Sequence, residues 1–366
     1  MSIFFSQSKY FDWPLLLTSL TLSVLGLALI YSTAASGEGG QVFFRQLTFF
    51  VFGVFAFLFF SFFDYHSLAK ANRIIYVVSI FLLIWILFFG PNIRGGRRWL
   101  PLGFFNIQLA EFVKLSVILG MARLLHTRRG EINSPLTLLW SFLYTALPAF
   151  LVLKEPDLGS ALIILSLWAG LLLISPIRKK FLFILLAMFI LGSGATWKFF
   201  LKDFQKDRVK VFLSPGLDPR GRGYNVRQAA IAVGSGQFFG RGLGKGQQSQ
   251  NRFLPERQTD FIFAASSEEV GFFGSTSIIA LYCLLFFRLI LIIKKARDDL
   301  GMYIAGGVFF LIFFHTTINI GMNVGLLPVT GIPLPLLSAG GSSLLVILIA
   351  LGITQNISMQ SKVLRF

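Results

Sequence analysis

The chain has 366 residues, of which 55% are hydrophobic and only 13% are charged. An ordinary soluble domain carries roughly 25% charged residues, so this composition excludes a water-soluble globule. The net charge of +17 would indicate a nucleic-acid partner in a soluble protein. Here the charges lie between apolar stretches, which favours anionic lipid headgroups as their counterpart and argues against nucleic-acid binding.

Apolar stretches recur along the whole chain, and a transmembrane helix needs about 20 mainly apolar residues. We predict a polytopic all-α membrane bundle of about ten helices, forming a single domain over residues 1–366. The first stretch is interpreted as a retained helix and not as a cleaved signal. The predicted spans are 13–32, 43–63, 74–90, 110–125, 137–153, 159–175, 181–198, 264–293, 303–327 and 341–359.

The distribution of basic residues predicts the orientation, because short cytoplasmic loops are enriched in Lys and Arg. With the N-terminus inside, thirteen Lys and Arg residues fall on the inner side and four fall in short outer loops. Both termini are therefore predicted to be cytoplasmic. The long loop 199–261 then faces outward, and its length exempts it from this count.

A basic cluster follows the third span, on the predicted outer side, against the positive-inside trend. Arg97 and Arg98 precede Trp99, and guanidinium groups suit phosphate oxygens. The cluster is therefore a candidate diphosphate ligand. The alternative is that the arginines reach lipid headgroups while Trp99 anchors the chain at the interface.

Polar residues inside the spans also need partners. Glu111 and Lys114 lie three residues apart in the fourth span, on one helix face, so we predict a structural or site-lining ion pair. His315, Asn319 and Asn323 recur every four residues in the ninth span. Such a stripe is typical of hydrogen bonding between helices.

The long outer loop is both basic and rich in glycine. Residues 198–260 contain twelve Lys and Arg against five Asp and Glu. Glycines between 234 and 246, with Lys245 among them, let backbone amides approach an anion closely. A phosphate-bearing ligand fits this pattern, but the glycines can equally form turns while the charges face solvent.

Asp260 stands where the long loop enters the eighth span, directly after Gln258 and Thr259. A carboxylate at a membrane surface, beside a cationic loop, can accept a proton from a sugar or lipid hydroxyl. The alternative is ordinary helix capping by Thr259 or Asp260.

Asp157, before the sixth span, is interpreted as a cap. No set of His, Cys and acidic residues has metal-ligand spacing, so no metal site is predicted.

Several separate motifs, in a fixed order over almost the whole chain, resemble the SEDS family (shape, elongation, division and sporulation). Ser249 and Gln250 ahead of Phe253-Leu-Pro-Glu256 favour RodA over FtsW within it. Three positions depart from the family pattern: Leu109-Ala110, Gln258 and Ala339. The motifs are Arg97–Gly103, Gln108–Leu115, Glu155–Ser160, Gly223–Gln228, Gly246–Gln250, Phe253–Phe263, Glu268-Glu269, Pro328–Pro335 and Ser338–Ser342.

The resemblance implies a peptidoglycan glycosyltransferase that polymerises lipid II at the outer face of the bacterial cytoplasmic membrane, in complex with a class B penicillin-binding protein. Asp260 would deprotonate the acceptor hydroxyl, and Arg97 and Arg98 would stabilise the departing undecaprenyl diphosphate. A divalent cation such as Mg²⁺ would be chemically compatible with that leaving group. The remaining candidate substrate-binding residues are Trp99, Glu111, Lys114, Lys245, Gln258, Thr259 and Ser338.

Two other functions stay open on the same residues. A lipid II flippase would use the charges to carry a diphosphate headgroup across the membrane. It would need a polar path to the inner face, whereas the strongest motifs lie on the outer side. A catalytically inactive scaffold of a wall-synthesis complex is the third possibility.

Overall fold

The computed structural model describes residues 10–33, 39–92, 96–102, 105–178 and 222–363, with isolated residues between 180 and 218. The predicted seventh span, 181–198, and the first part of the long loop lie outside the described residues. Each of the other predicted spans overlaps a helix. The elements are α1 (Trp13–Ser32), α2 (Gly39–Phe62), α3 (Tyr65–Phe89), β1 (Trp99–Leu102), β2 (Phe105–Gln108), α4 (Leu109–Thr127), a 3₁₀ turn (Arg129–Glu131), α5 (Pro135–Lys154), α6 (Leu158–Ile174), α7 (Arg222–Ser235), α8 (Gln247–Gln250), α9 (Ile262–Lys295), α10 (Asp299–Asn323) and α11 (Gly341–Val363).

Seven helices in the described part of the chain are long and apolar enough to cross a membrane: α1, α2, α3, α5, α9, α10 and α11. Helix α6 is apolar but shorter, with 17 residues. The protein is therefore a multi-pass membrane protein.

Helix α11 lies at the centre of the bundle. In its most apolar stretch 94% of the residues are buried, against 17% in α3 and 22% in α2. Glycines allow α2 and α11 to approach closely, because a Cβ on Gly352 would lie 2.5 Å from the Phe57 carbonyl oxygen. Small residues at such contacts are typical of helix packing in membranes.

Helix α3 begins at Tyr65, well before the predicted start of the third span at residue 74. Asp64 caps it, since the Ser67 amide donates to Asp64 Oδ2 at 3.1 Å. Its first turns bury Tyr65, Ala69 and Asn72 among mainly polar neighbours. The apolar pattern therefore located the membrane-spanning part of the helix but not its capped start.

Helix α9 is broken at Gly271, where φ is +69° and ψ is −164°. The part after the break, 272–295, is about 36 Å long and can cross a membrane alone. The amides of Phe272 and Phe273 donate to the carbonyls of Gln237 and Phe238 at 2.8 and 3.1 Å. The long loop thus supplies the hydrogen bonds that the break removes from the helix, and residues 264–270 do not continue the straight span predicted for them.

The chain between α10 and α11, residues 324–340, forms an irregular return segment that enters the bundle. Helix α10 ends at Asn323, not at 327 as predicted. Tyr282, about 16 Å along α9 from the break, donates its hydroxyl to the Pro335 carbonyl. Irregular backbone at this depth is tolerated where protein surrounds it, and Ile332 and Leu337 are buried.

Candidate functional site

Asp260 lies at the start of α9, and two side chains of α10 hold its backbone. The Asp260 carbonyl accepts hydrogen bonds from Asn319 Nδ2 at 3.0 Å and Asn323 Nδ2 at 2.9 Å. Asn323 Oδ1 accepts from the Ala264 amide at 2.9 Å. The prediction that this polar stripe bonds between helices is confirmed.

The capping interpretation of Thr259 and Asp260 is wrong. Helix α9 begins at Ile262, its N-cap position is Phe261, and no side chain caps it. The Asp260 carboxylate is half-buried and lies against the return segment, since a Cβ on Gly331 would lie 3.5 Å from Asp260 Oδ2. Gly331 has a φ of +76°, a conformation that glycine adopts without strain.

Ser338, Thr259 and Gln258 join the Asp260 loop to the return segment. The Ser338 hydroxyl donates to the Thr259 carbonyl at 2.6 Å, and the Ala339 amide donates to the Gln258 carbonyl at 2.7 Å. Gln258 Nε2 donates to the Ile30 carbonyl of α1 at 3.2 Å. These hydrogen bonds tie residues 258 and 259 to the return segment and to α1. They therefore fix the position of Asp260, which follows directly in the chain.

Glu111, Lys114 and His315 form a buried ion cluster between α4 and α10. Lys114 Nζ lies 2.6 Å from Glu111 Oε1 and 3.1 Å from His315 Nε2. The predicted ion pair is confirmed. An ammonium group only donates, so His315 Nε2 accepts and the ring proton is on Nδ1, 3.4 Å from the Pro333 carbonyl of the return segment. His315 and Asn323 are about 12 Å apart along α10, and Asn323 binds the Asp260 carbonyl, so the ion cluster lies deeper in the bundle than Asp260.

Two short strands lead into α4 on the Asp260 side of the bundle. They pair antiparallel, with Trp99 opposite Gln108. Gln108 Nε2 donates to Asp157 Oδ2 at 2.7 Å, and Asp157 caps α6 by accepting from the Ser160 amide at 3.0 Å. The predicted cap is therefore confirmed.

We call Arg98, Gln108, Glu155 and Asp157 the outer polar cluster. It reaches the return segment through the first turn of α6, where a Cβ on Gly159 would lie 3.1 Å from the Thr330 carbonyl oxygen. Asp260 contacts the same segment one residue further on, at Gly331. The outer polar cluster and Asp260 therefore share a common support.

The other basic candidates occupy different environments. Arg97 is exposed, and its Nη1 donates to the Leu87 and Phe88 carbonyls at the end of α3, at 3.3 and 2.8 Å. Arg98 is half-buried, and its Nε atom is buried without a hydrogen-bond partner. Lys245 is exposed, in the loop that fills the break of α9. Arg98 is thus the arginine directed into the protein, whereas Arg97 binds carbonyls of α3.

Glu155 was not singled out from the sequence, although it stands in the Glu-Pro-Asp motif. It is 1% exposed, and neither carboxylate oxygen has a hydrogen-bond partner. Burial, assisted by the nearby Asp157 charge and opposed by Arg98, raises the pKa of Glu155 to about 8. The motif is visible in the sequence, but only the geometry distinguishes this carboxyl from the capping Asp157.

Residues 12–363 match the model of the FtsW, RodA and SpoVE family, which is described as "Cell cycle protein". The chain belongs to this family. Because the match covers nearly the whole chain, it includes the outer polar cluster, the ion cluster, Asp260 and the return segment.

Members of the FtsW/RodA/SpoVE family with different names are similarly close to this chain. Peptidoglycan glycosyltransferase RodA of Treponema pallidum is 33% identical, over 95% of this chain and 97% of the relative. A probable peptidoglycan glycosyltransferase FtsW of Neisseria gonorrhoeae is 35% identical, over 97% and 86%. These identities establish the family without deciding between the RodA and FtsW branches.

A solved relative in the family supports the same architecture. It is a chain from a study of how a peptidoglycan synthase complex coordinates polymerization and crosslinking. The TM-score is 0.80 at 27% identity, covering 96% of this chain and 98% of that one.

Two adjacent glutamates, Glu268 and Glu269, form a motif whose role the sequence alone does not indicate. Glu268 accepts the amides of Gln248 and Ser249 at 2.9 and 3.2 Å. Glu269 accepts the Ser32 hydroxyl at 2.5 Å. The Gly244 amide also donates to Glu269 Oε1 at 3.2 Å. Both buried carboxylates on the half-helix before Gly271 therefore bind the long loop, and adjacent acids in an otherwise apolar span were the available signal. Within the described ranges there is no group of three or more His, Cys, Asp or Glu residues that could hold a metal ion.

Proposed function

We propose that this family member is a RodA-type peptidoglycan glycosyltransferase, which joins lipid II disaccharides into glycan strands during cell elongation. The relatives named above carry that activity in their names. The observation that carries the proposal is the placement of Asp260. Its backbone is held by Asn319 and Asn323, and its carboxylate lies over the return segment at one end of the bundle.

In the proposed reaction Asp260 acts as the general base. The carboxylate accepts the proton of the acceptor sugar hydroxyl while that oxygen bonds to the anomeric carbon of the donor. The bond between this carbon and the diphosphate breaks, and undecaprenyl diphosphate leaves with the electron pair. Arg98 supplies positive charge to the leaving group, and Lys114 contributes a buried positive charge below the site.

The reaction side is proposed to be the outer face of the bacterial cytoplasmic membrane, with both termini cytoplasmic. Lys362 Nζ donates to the Tyr10 carbonyl at 3.1 Å, so the two ends of the described chain lie on the same face. Lys294 and Lys295 are the last residues of α9, at the end distant from Asp260, and Arg297 follows them. The positive-inside rule assigns this face to the cytoplasm.

The proposed partner is a class B penicillin-binding protein, which would crosslink the glycan made by this chain. Support comes from the solved relative in a synthase complex that coordinates both reactions. Membrane lipids would cover the apolar surface of the bundle, where Phe88 and Phe89 of α3 are about 70% exposed. Participation of a divalent cation such as Mg²⁺ stays a prediction, in which the diphosphate itself would provide most of the ligands.

The test is polymerisation of labelled lipid II by the purified protein with its transpeptidase partner. Asp260→Asn removes the base while keeping the size of the side chain, and we expect the rate to fall at least about 100-fold. Unchanged thermal unfolding and partner binding would separate this loss from misfolding. Glu131→Gln, an exposed carboxyl in the 3₁₀ turn, is the matched control and should retain full activity.

The same preparation separates the other functions. Polymer made at a normal rate by Asp260→Asn would reject the assigned base. A flippase would instead move lipid II across vesicle membranes with either residue at 260, without forming polymer. A scaffold would bind the partner and leave lipid II unchanged.

A further inference from the structure

A groove between α3, α4 and α5 has no part in the proposed reaction. It lies at the end of α4 opposite Asp260, because Arg128, which lines it, is the C-cap residue of α4, whereas the two strands lead into the start of that helix. The groove has a volume of about 400 Å³. Sites for small molecules occupy roughly 300–1,000 Å³, so the groove is large enough to hold part of a ligand.

Two tyrosines line the more buried side of the groove, and both hydroxyls are bonded to the protein. The rings of Tyr76 and Tyr144 stack with their centres 4.0 Å apart. The Tyr76 hydroxyl donates to the Tyr144 carbonyl at 2.7 Å, and the Tyr144 hydroxyl accepts from Asn72 Nδ2 at 2.9 Å. Gly120 of α4 provides the space, because a Cβ there would overlap the Tyr144 hydroxyl. With its polar atoms already partnered, this side suits a hydrocarbon ligand.

The outer sides of the groove are apolar and open. Trp140, Leu143 and Leu147 of α5 are 53, 46 and 47% exposed, and they extend over about 10 Å of that helix. Leu124 of α4 also lines the groove. In a bilayer acyl chains cover such a surface, and tryptophan is typical of the level where chains meet headgroups.

Among the described residues that line the groove, Arg128 alone is charged. It is exposed, and its side chain forms no hydrogen bond or ion pair with any residue that the structure describes. The adjacent Arg129 pairs with Asp299. The nearest acid in the chain, Glu131, is exposed and forms no ion pair within the described ranges. The Arg128 guanidinium is therefore available to an anion at the groove.

Helix α3 adds positive charge at the same end. Lys70 and Arg73 are exposed, and Arg73 lies one turn before Tyr76, on the same helix face. Basic pockets between transmembrane helices on the cytoplasmic side bind anionic lipid headgroups. A guanidinium suits a phosphate because it donates two parallel hydrogen bonds.

We propose that this groove binds one anionic phospholipid, with an acyl chain between α3 and α5 and its headgroup phosphate at Arg128. The charge at one end and the apolar lining match the two parts of such a lipid. In the orientation proposed above, the lipid comes from the inner leaflet. The site goes beyond the glycosyltransferase proposal, and its test needs no polymerisation.

The headgroup is tested by titrating the purified protein in detergent with phosphatidylglycerol or phosphatidylcholine of identical chains, followed by native mass spectrometry. Phosphatidylglycerol should bind the wild-type protein more tightly. Arg128→Gln should raise its Kd about fivefold and leave phosphatidylcholine binding and thermal unfolding unchanged. Lys295→Gln removes an exposed charge of α9, a helix that does not line the groove, and should bind like the wild type. Equal binding of both lipids, or no effect of Arg128→Gln, would overturn the inference.

The acyl chain is tested with Leu143→Trp, which fills the groove and keeps Arg128. It should weaken phosphatidylglycerol binding at least about tenfold, because displacing two buried methylenes already has this effect. Leu139→Trp is the matched control, since Leu139 is a 52% exposed leucine of α5 that does not line the groove. Equal binding by the two variants would place the lipid elsewhere and reject the site.

The same spectra identify other occupants. Displacement of phosphatidylglycerol by an equal amount of undecaprenyl diphosphate would assign the groove to the carrier lipid. A dimer that is lost only in Leu143→Trp would assign it to a second copy of the chain. Either result would overturn the phospholipid assignment without bearing on the role of Asp260.

Discussion

Glu111 and Lys114 are almost completely removed from solvent, with exposures of 3% and 0%. A buried ion pair adds little to stability relative to an apolar pair, but removal of one partner leaves the other charge uncompensated. The i, i+3 spacing on α4 and the third contact from His315 hold this pair in place. The pair thus keeps a positive charge at a depth where an isolated Lys would be strongly disfavoured.

This asymmetry gives the prediction at the residue scale. Lys114→Met should lower the free energy of unfolding by about 3–5 kcal/mol, because Glu111 is left buried and unpaired. Lys114→Met combined with Glu111→Gln should be more stable than the single variant. Equilibrium unfolding in detergent measures both, and Lys245→Met at an exposed position is the control. A double variant less stable than Lys114→Met would contradict the account.

The break in α9 determines how the long loop packs beside Asp260. The backbones of Gly271 and Gly240 are in close contact, since a Cβ on Gly271 would lie 2.2 Å from the Gly240 amide nitrogen. The amides of Arg241 and Gly242 donate to the Glu268 and Glu269 carbonyls at 3.0 Å. Loop and half-helix therefore form one hydrogen-bonded unit, with Asp260 at its beginning.

The prediction at this scale concerns Gly271→Ala. The alanine side chain would clash with the Gly240 backbone, and alanine is strained at the φ of +69° that this position adopts. The loop must therefore separate from the half-helix. We expect increased hydrogen exchange over 236–250 and loss of polymerisation. Gly234→Ala places a Cβ where nothing lies within 4 Å and serves as the control. Normal exchange and activity in Gly271→Ala would show that the break does not depend on glycine.

At the scale of the whole molecule, polar contacts hold the bundle together at the face opposite Asp260. Asp12 is 2% exposed and caps α1 through the Leu15 amide at 3.2 Å. It also accepts from Arg288 of α9 at 2.5 Å, and Lys362 of α11 lies 3.9 Å away. One carboxylate thus joins three helices at the end of the bundle where the first and last described residues lie.

The proposed orientation gives a prediction for the whole chain. In a Cys283→Ser background, a cysteine replacing Lys245 should react in intact cells with a maleimide that cannot cross the membrane. A cysteine replacing Arg128, in the predicted inner loop after α4, should react only after the cells are opened. The reverse pattern would place Asp260 on the cytoplasmic side and exclude polymerisation at the outer face.

Local patterns predicted the features that depend on composition and spacing. The spans follow from the length and apolarity that a bilayer demands, and the Glu111–Lys114 pair follows from the periodicity of a helix. The motif order led to the family, and Asp260 was correctly placed at the entrance to a span. The catalytic role of Asp260 and the substrate contacts stay predictions.

Tertiary structure alone decided the rest. The entry of residues 324–340 into the bundle depends on donors from α9 and α10, such as Tyr282 and Asn319, which are distant along the chain. The opposite environments of Glu155 and Asp157, two residues apart, depend on which neighbours fold against each carboxyl. Apolar periodicity reflects what a membrane requires of a single helix. Whether a buried polar atom finds a hydrogen-bond partner depends instead on how several segments of the chain pack together.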